Sequence, residues 1–363
     1  MPTTRIAVTL PDGASHDVRI GTGLADSLGA RLAQVPALAA ARRIALVADG
    51  NAGLRYLPRV KAALTASGYA ASEITLPVGE GVKTPEVVAE LWQAFAALGL
   101  GPGDAVAVLG GCTVWQAAAF AAATYRGGIA TVALPTTPAA AMQLPCGGSA
   151  ALDLPQGKGL VSAASVPVYV SCDVDMLASV PSEAWRSGLA LAARSALVTD
   201  EDGLFWLMEN APRLASPACA ETEPGVVVEM LARVVVAEAD ALATGDARSR
   251  GVGDAFAKAI CRATGGKTPQ ADALAAGLRI AAALSVKECG LDAQAASALD
   301  DMLSDLGFSS IGPLGADAVA LAFAGVLKDE GEKTVPLLAD VAMPMNVPVT
   351  PARLQGAIRG ISC

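Results

Sequence analysis

Histidine is nearly missing: the 363 residues contain one, His16. A single imidazole excludes a two-histidine metal site, and any general base must come from Asp, Glu, Lys, Tyr or Cys. His16 sits in LPDGASHDVRI, far in sequence from every candidate site, so a plain strand or surface histidine is expected there. Charge is scarce too, at 17% of residues against 53% apolar, so most elements should be buried. Of the two signs the basic one is scarcer, with 26 Lys and Arg against 35 Asp and Glu and a formal net charge of −9. No Lys/Arg-rich block offsets this, which disfavours nucleic acid and anionic membranes as partners. The seven cysteines (Cys112, Cys146, Cys172, Cys219, Cys261, Cys289 and Cys363) are odd in number, scattered and without a CxxC pair. Reduced thiols fit that pattern better than a disulfide framework. The opening MPTTRIAVTLPDG lacks an apolar signal core, and a cytoplasmic location is the default expectation.

Two uncharged or nearly uncharged stretches need a membrane check. Val106–Tyr125 is long enough to span a bilayer by hydropathy, but it contains Gly110, Gly111 and Gln116 and opens as a strand and turn. Gly127–Leu152 is broken by three prolines. Both read as buried core of a chain long enough for two domains.

The stretch from Asp104 to Leu160 organises the rest. Ala105–Leu109 is a short apolar run that suits a buried parallel strand, and Gly110-Gly111 ends it where backbone must turn tightly or approach a ligand. Val114–Tyr125 reads as a buried, Ala-rich helix. A helix starting just after a glycine turn offers free N–H groups to an anion such as phosphate. A second strand and a Thr-Thr and Gly-Gly loop follow.

Earlier in the chain, Arg5–Leu10 and Asp17–Ile20 read as a hairpin and Leu24–Gln34 as a helix. Arg43–Ala48 is an apolar strand ending at Asp49. An acidic residue there can meet a nucleotide ribose or simply form an Asx turn. Leu57–Gly68 and Pro85–Leu98 read as helices flanking a strand at Ala71–Leu76. Alternating strands and helices over 40–150 predict a largely parallel, Rossmann-like sheet. Beyond Asp173 the pattern turns helical: Val174–Leu177, Ser182–Asp200, Gly225–Ala243, Gly253–Thr264, Pro269–Cys289, Ala293–Leu306 and Gly315–Leu327, with one strand signal at Thr334–Leu338. The fold class expected is α/β plus all-α, with an α/β nucleotide-binding-type domain over 1–179 and a helical domain over 180–363.

These residues resemble the dehydroquinate synthase family of sugar-phosphate cyclases. The family's GEQYKT is similar to Gly79–Thr84, GEGVKT, and its GGGVVGDLAGFAAATY to Gly110–Tyr125, GGCTVWQAAAFAAATY. Pro135-Thr136-Thr137, Gly147-Gly148, Gly157-Lys158-Gly159 and Val180–Leu191, VPSEAWRSGLAL, match further landmarks in order and spacing. The resemblance implies NAD, a catalytic zinc held by Glu, His and His, a homodimer, and transient oxidation followed by phosphate elimination and ring closure. The zinc positions fall on Leu191, Asp254 and Gln270, and a non-ligand histidine on Lys258. Leucine has no lone pair, and Asp with Gln is a poor zinc set, so no zinc is expected.

Residues that grip the phosphorylated substrate in the family are replaced as well, by Gln143, Leu144, Pro145, Ser149, Asp153, Ala164 and Arg194. The pocket should therefore favour a less charged, more apolar ligand. On the nucleotide side, Asp49, Asn51, Glu80, Lys83, Gly110, Gly111, Thr136, Thr137 and Lys158 lie on NAD-binding positions of the family. Cys112, Trp115 and Gln116 replace two glycines and an acidic residue there, which leaves NAD binding evenly balanced.

Asp254 and Lys258, spaced i and i+4, share a helix face and are candidates for an acid–base pair or a plain ion pair in an interdomain cleft. Gln143 and Arg194 are further candidates for polarising a carbonyl. Trp115, Gln116, Leu144, Leu191 and Gln270 are candidates for lining the substrate pocket. Cys112 and Cys146 lie on glycine-bearing stretches, but nothing nearby would depress a thiol pKa. Arg126 is a candidate carboxylate binder, although the family's arginine aligns with Gly127.

The leading expectation is a metal-independent cyclase or isomerase of specialised metabolism, acting on a largely apolar, polyketide-like substrate. Holding reacting ends in near-attack geometry supplies roughly 7–11 kcal/mol at best without a metal. The alternatives are a noncatalytic homologue and an NAD-dependent oxidoreductase without the elimination and cyclisation steps.

Overall fold

The computed structural model describes residues 3–147, 149–199, 201–245, 248–309 and 315–361. The chain forms two compact units. The first takes the residues up to Val180 together with Ala218–Ala239, and the second takes Pro181–Pro217 and the residues from Asp240. The helical part is thus drawn from two stretches of chain, not from one run over 180–363.

The first unit opens with strands β1 (Thr4–Thr9) and β2 (Ser15–Gly21), then a short helix α1 (Leu28–Leu32). Next come β3 (Arg43–Asp49), α2 (Gly50–Ala66), β4 (Ala70–Leu76), α3 (Pro85–Ala97), β5 (Ala105–Gly110) and α4 (Cys112–Thr124). They are followed by β6 (Ala130–Pro135), α5 (Pro138–Gln143), β7 (Ser149–Leu154), β8 (Gly157–Ala164) and β9 (Tyr169–Asp173). Seven strands form one sheet in the order β1-β2-β9-β6-β5-β3-β4. Only β1 and β2 pair antiparallel; the other neighbours are parallel. Every residue of β5 and β9 is buried, as continuous apolar strands require when both faces are covered.

Parallel pairing puts the C-terminal ends of β3, β5, β6 and β9 along one edge, where such sheets carry their ligands. The other end is pinned by Asp104. Its Oδ1 accepts from the backbone N–H of Arg42 and Arg43, and its Oδ2 from Gly101 N–H. The turn before β5 is thereby tied to the start of β3.

In the second unit, α6 (Ser182–Thr199) and α7 (Glu201–Leu214) come first. Helices α8 (Cys219–Thr222) and most of α9 (Pro224–Thr244) group with the first unit. Then follow α10 (Arg248–Gly251), α11 (Asp254–Ala263), α12 (Gln270–Glu288), α13 (Ala293–Asp305) and α14 (Ala316–Glu330). The hairpin β10 (Val335–Asp340) and β11 (Met343–Val347) and helix α15 (Pro351–Ile361) close it. Gly277 lets α11 start hard against α12, because a Cβ there would stand 2.4 Å from the Gly253 carbonyl oxygen. No helix among the described residues is long and apolar enough to cross a membrane.

Several elements differ from the sequence reading. The 149–164 stretch is a hairpin, not a glycine loop, and β11, α7 and α15 carried no recognised signal. Helix α2 starts seven residues earlier than expected because Asp49 caps it. The 24–34 segment is a 3-10 turn at Ala25–Ser27 and a short α1, not one helix. Asp200, Gly148 and Cys363 lie outside the described residues; the other six cysteines are not joined in disulfides.

Burial would raise the Asp104 carboxyl, but its three N–H donors and nearby Arg43 hold it below the usual carboxylate range. Its stabilising effect is therefore full at neutral pH and fades as pH falls through the depressed folded value. Asp104→Ala should lower stability by about 2 kcal/mol in urea unfolding at pH 7, because buried N–H groups lose their acceptor. The difference from wild type should shrink in acid; a pH-independent difference would contradict the assignment.

Candidate functional site

At the C-terminal edge of the first unit's sheet, Asp49 Oδ1 accepts from Asn51 N–H at 2.9 Å and Ala52 N–H at 2.8 Å. This is an N-cap, so the turn reading of Asp49 holds. The same carboxylate still faces the neighbouring strand end: a Cβ on Gly110 would lie 3.4 Å from Asp49 Oδ2 and 3.2 Å from Val114 Cβ. Thr136 N–H donates to the Gly110 carbonyl at 3.1 Å, joining the ends of β5 and β6. Thr137 Oγ1 accepts from Ala140 N–H and caps α5. Gly111 caps α4 with no side-chain partner for the first-turn N–H groups. That helix start remains an anion-attracting end.

A polar cluster borders it. Thr113 Oγ1 donates to Glu80 Oε1 at 2.6 Å, and Lys83 Nζ lies 2.7 Å from Glu80 Oε2 and 3.3 Å from Asp153 Oδ2. The exposed Lys158 stands 3.6 Å from Glu80. Burial alone would raise the Glu80 carboxyl, yet Lys83, Thr113 and Lys158 bring it below its ordinary value. Burial would likewise lower the Lys83 amine, and Glu80 and Asp153 reverse that. The structure thus gathers Glu80, Lys83 and Lys158 as expected and adds Thr113 and Asp153. Thr113 lay unnoticed between two altered positions, and Asp153 was noted only as a departure from the family.

Trp115 is 3% exposed, so the indole is held in the protein interior. Leu144 is also buried. Gln116 is half-buried. Gln143 is exposed at the end of α5, where its Oε1 accepts from the Cys112 thiol at 3.4 Å. Cys146 is buried, and its thiol faces the Val235 carbonyl at 3.8 Å. Arg126 lies at the opposite end of α4 from Gly111, in the left-handed region at φ 52°. It donates to the Leu100 carbonyl at 3.2 Å, so it belongs to a turn and not to this site.

In the second unit, Arg194 on α6 donates from Nη1 to Asp254 Oδ1 at 2.9 Å. The arginine side chain is 9% exposed and that of Asp254 41%. Burial of the carboxyl still pushes Asp254 up, against the pull of Arg194 and Lys258. The expected Asp254–Lys258 pair does not form: Lys258 turns to Glu330 on α14. Both choices follow from tertiary neighbours that i,i+4 spacing does not encode. Leu191 lies one turn before Arg194 and is half-buried, while Gln270 opens α12 and is exposed. Among the described residues no group of three or more His, Cys, Asp or Glu side chains is placed to hold a metal ion.

A parallel-rich sheet with ligand-binding strand ends, followed by a mostly helical unit, defines a Rossmann-like class of two-part proteins. The crystal structure of 2-deoxy-scyllo-inosose synthase complexed with carbaglucose-6-phosphate, NAD+ and Co2+ shares this fold. Its TM-score is 0.82 over 98% of this chain and 99% of that chain, at 20% identity. So does 2-epi-5-epi-valiolone synthase from Streptomyces hygroscopicus subsp. jinggangensis 5008 with NAD+ and Zn2+ bound, at a TM-score of 0.81, covering 96% and 97% of the two chains at 20% identity. Residues 73–187 match the family described as 3-dehydroquinate synthase N-terminal. The 3-dehydroquinate synthase of Paracoccus denitrificans (strain Pd 1222) is 33% identical over 276 residues, 75% of this chain and 74% of that protein. The chain belongs to the 3-dehydroquinate synthase family.

Although Cys112 opens a helix, burial pushes its thiol up to about 11. At pH 7.5 only about one thiol in several thousand would be ionised, against roughly one in ten for an ordinary cysteine. Alkylation of Cys112 by iodoacetamide, followed by peptide mapping, should run on the order of 100-fold slower than at a free thiol. Its rate should still be climbing at pH 10; a plateau near pH 8 would contradict the raised thiol pKa.

Proposed function

We propose that this protein is a cyclase of its family that works without the family's catalytic zinc and takes a less charged, more apolar substrate than a sugar phosphate, of the polyketide-like kind. The observation that carries this reading is the Arg194–Asp254 pair with Leu191 one turn away. Of the three positions that the resemblance assigns to zinc, one is apolar and one, Gln270, is exposed at a helix start. The third is a carboxylate already matched by a guanidinium. A divalent cation there would face a cation at hydrogen-bonding distance from its one anionic ligand, so the residues present do not fit it.

What these residues can do is move a proton. Arg194 fixes Oδ1 of Asp254, which leaves Oδ2 to exchange a proton with a substrate oxygen. Burial raises the carboxyl's affinity for a proton, which favours that exchange. Leu191 supplies apolar surface beside it.

NAD belongs to this reading as a ligand of the first unit, where the residues fit a dinucleotide. The α4 start lacks a side-chain cap, a Cβ on Gly110 would crowd Val114 at 3.2 Å, and Asp49, Glu80, Lys83 and Lys158 stand around this turn. When bound, the nicotinamide would supply reversible hydride transfer. A second reading, an NAD-dependent oxidoreductase without ring closure, rests on the same preserved residues.

Native mass spectrometry of the whole protein should show about one NAD and no stoichiometric zinc per chain on titration. An assay for 3-dehydroquinate should show no product with either added. One zinc per chain, lost in Asp254→Ala, would overturn the reading, as would 3-dehydroquinate formation. Accumulation of NADH during turnover would favour the oxidoreductase.

A further inference from the structure

The first unit holds a cavity of about 600 Å³ away from the residues discussed so far. Its walls come from the β1–β2 turn, β2, the segment after α1 and the entry to β9. Tyr169 opens β9 level with Asp17 on β2 and with Val132 on β6. Val132 lies four residues short of Thr136, about 13 Å at roughly 3.3 Å per residue, so the cavity sits toward the opposite strand ends from Asp49 and Gly110.

Three guanidinium groups, Arg5, Arg19 and Arg31, line the cavity against one carboxylate, Asp17. Asp17 is 2.9 Å from Arg5 and 3.6 Å from Arg19, and Arg31 Nε donates to Ser27 Oγ at 2.9 Å. With a neutral imidazole at His16, the lining carries an excess of positive charge in a chain whose net charge is −9. Burial favours that neutral form by lowering the His16 pKa.

Buried polar groups also lack partners here. His16 Nε2 faces the Pro145 carbonyl at 2.7 Å and must carry its proton there, which makes Nδ1 an acceptor. That Nδ1 is buried and unpaired, although His16 is only 8% exposed. The Tyr169 hydroxyl, in a residue 3% exposed, has no hydrogen-bond partner of regular geometry, although Arg31 is near enough to favour its ionised form. Arg19 Nε is a buried donor without an acceptor. Buried polar groups are seldom left unmatched, and three on the residues around one cavity call for a ligand or ordered water.

We propose that this cavity is a second small-molecule site that takes a hydroxylated small anion, with the arginines and Tyr169 meeting the anionic group and His16 Nδ1 accepting from a hydroxyl. The volume suits a compact metabolite of that class. A phosphate monoester and a carboxylate share this chemistry and are told apart by the probes.

Isothermal titration of the full-length protein at low salt with glycerol 3-phosphate, D-glycerate and glycerol tests the site. One anion should saturate at one equivalent per chain, and glycerol should not bind. Arg31→Gln and Tyr169→Phe should each weaken binding at least about tenfold, with NAD titration unchanged. The Tyr→Phe variant keeps the ring packing and guards against a folding artefact. Saturation by glycerol 3-phosphate alone assigns a phosphate ester, and by D-glycerate alone a carboxylate. No saturable binding up to about 10 mM, equal binding of glycerol, or anion binding untouched in both variants would overturn the proposal and leave the cavity to water.

Discussion

A buried cation needs an anion beside it, and in this chain that requirement shapes the sites as well as the packing. Arg194 is nearly enclosed and takes Asp254. Lys83 is enclosed and takes both Glu80 and Asp153. Arg279, on the buried face of α12, takes Asp300 and the Phe308 and Ser309 carbonyls. Removing one partner from such a set leaves an uncompensated charge, which costs more than the pair contributes. The pairs therefore act as fasteners: Lys83 ties the β7–β8 hairpin to the turn after β4, and Arg279 ties α12 to α13 and the residues beyond it. In the second unit the same rule commits the Asp254 carboxylate to the Arg194 guanidinium.

The first unit was legible in the sequence where burial acts on both faces of an element. The runs RIALVA and AVAVLG are continuous and apolar because β3 and β5 are covered on both sides. The β7–β8 hairpin escaped because β8 is largely exposed and opens on Gly157-Lys158-Gly159, so its local chemistry is that of a loop. Helix α7 escaped because it begins almost where α6 ends, with no breaker between them other than Asp200. Motif spacing singled out Glu80, Lys83 and Lys158, and the structure brings them together through ion pairs centred on Glu80. The side chains of Leu144 and Trp115 go inward, a choice made by packing and not by position along the chain.

His16 shows the same limit from the other side. A hairpin at the start of a chain reads as a sheet edge, and an edge histidine reads as exposed. Here β2 is internal, because Tyr169–Asp173 of β9 returns from far along the chain to pair with Asp17–Gly21. That long-range pairing buries the imidazole, sets its tautomer through the Pro145 carbonyl and builds a wall of the cavity. No window of local sequence contains that information.

The direction of the strands then separates two electrostatic environments within one sheet. At the C-terminal ends, attraction for an anion comes from backbone: the uncapped start of α4 and tight glycine turns. Side chains there are largely self-neutralised, Glu80 against Lys83 and Lys158. Toward the N-terminal ends, the attraction comes from guanidinium groups in excess over a single carboxylate. Backbone N–H groups suit an extended pyrophosphate that must pass close to the main chain. Guanidinium forks suit a compact carboxylate or phosphate. A chain so poor in basic residues nevertheless places three arginines around one cavity, and like charges brought together there repel unless something anionic lies among them. Asp17 answers part of that repulsion, and the unmatched His16, Arg19 and Tyr169 atoms mark where the remainder is to be met.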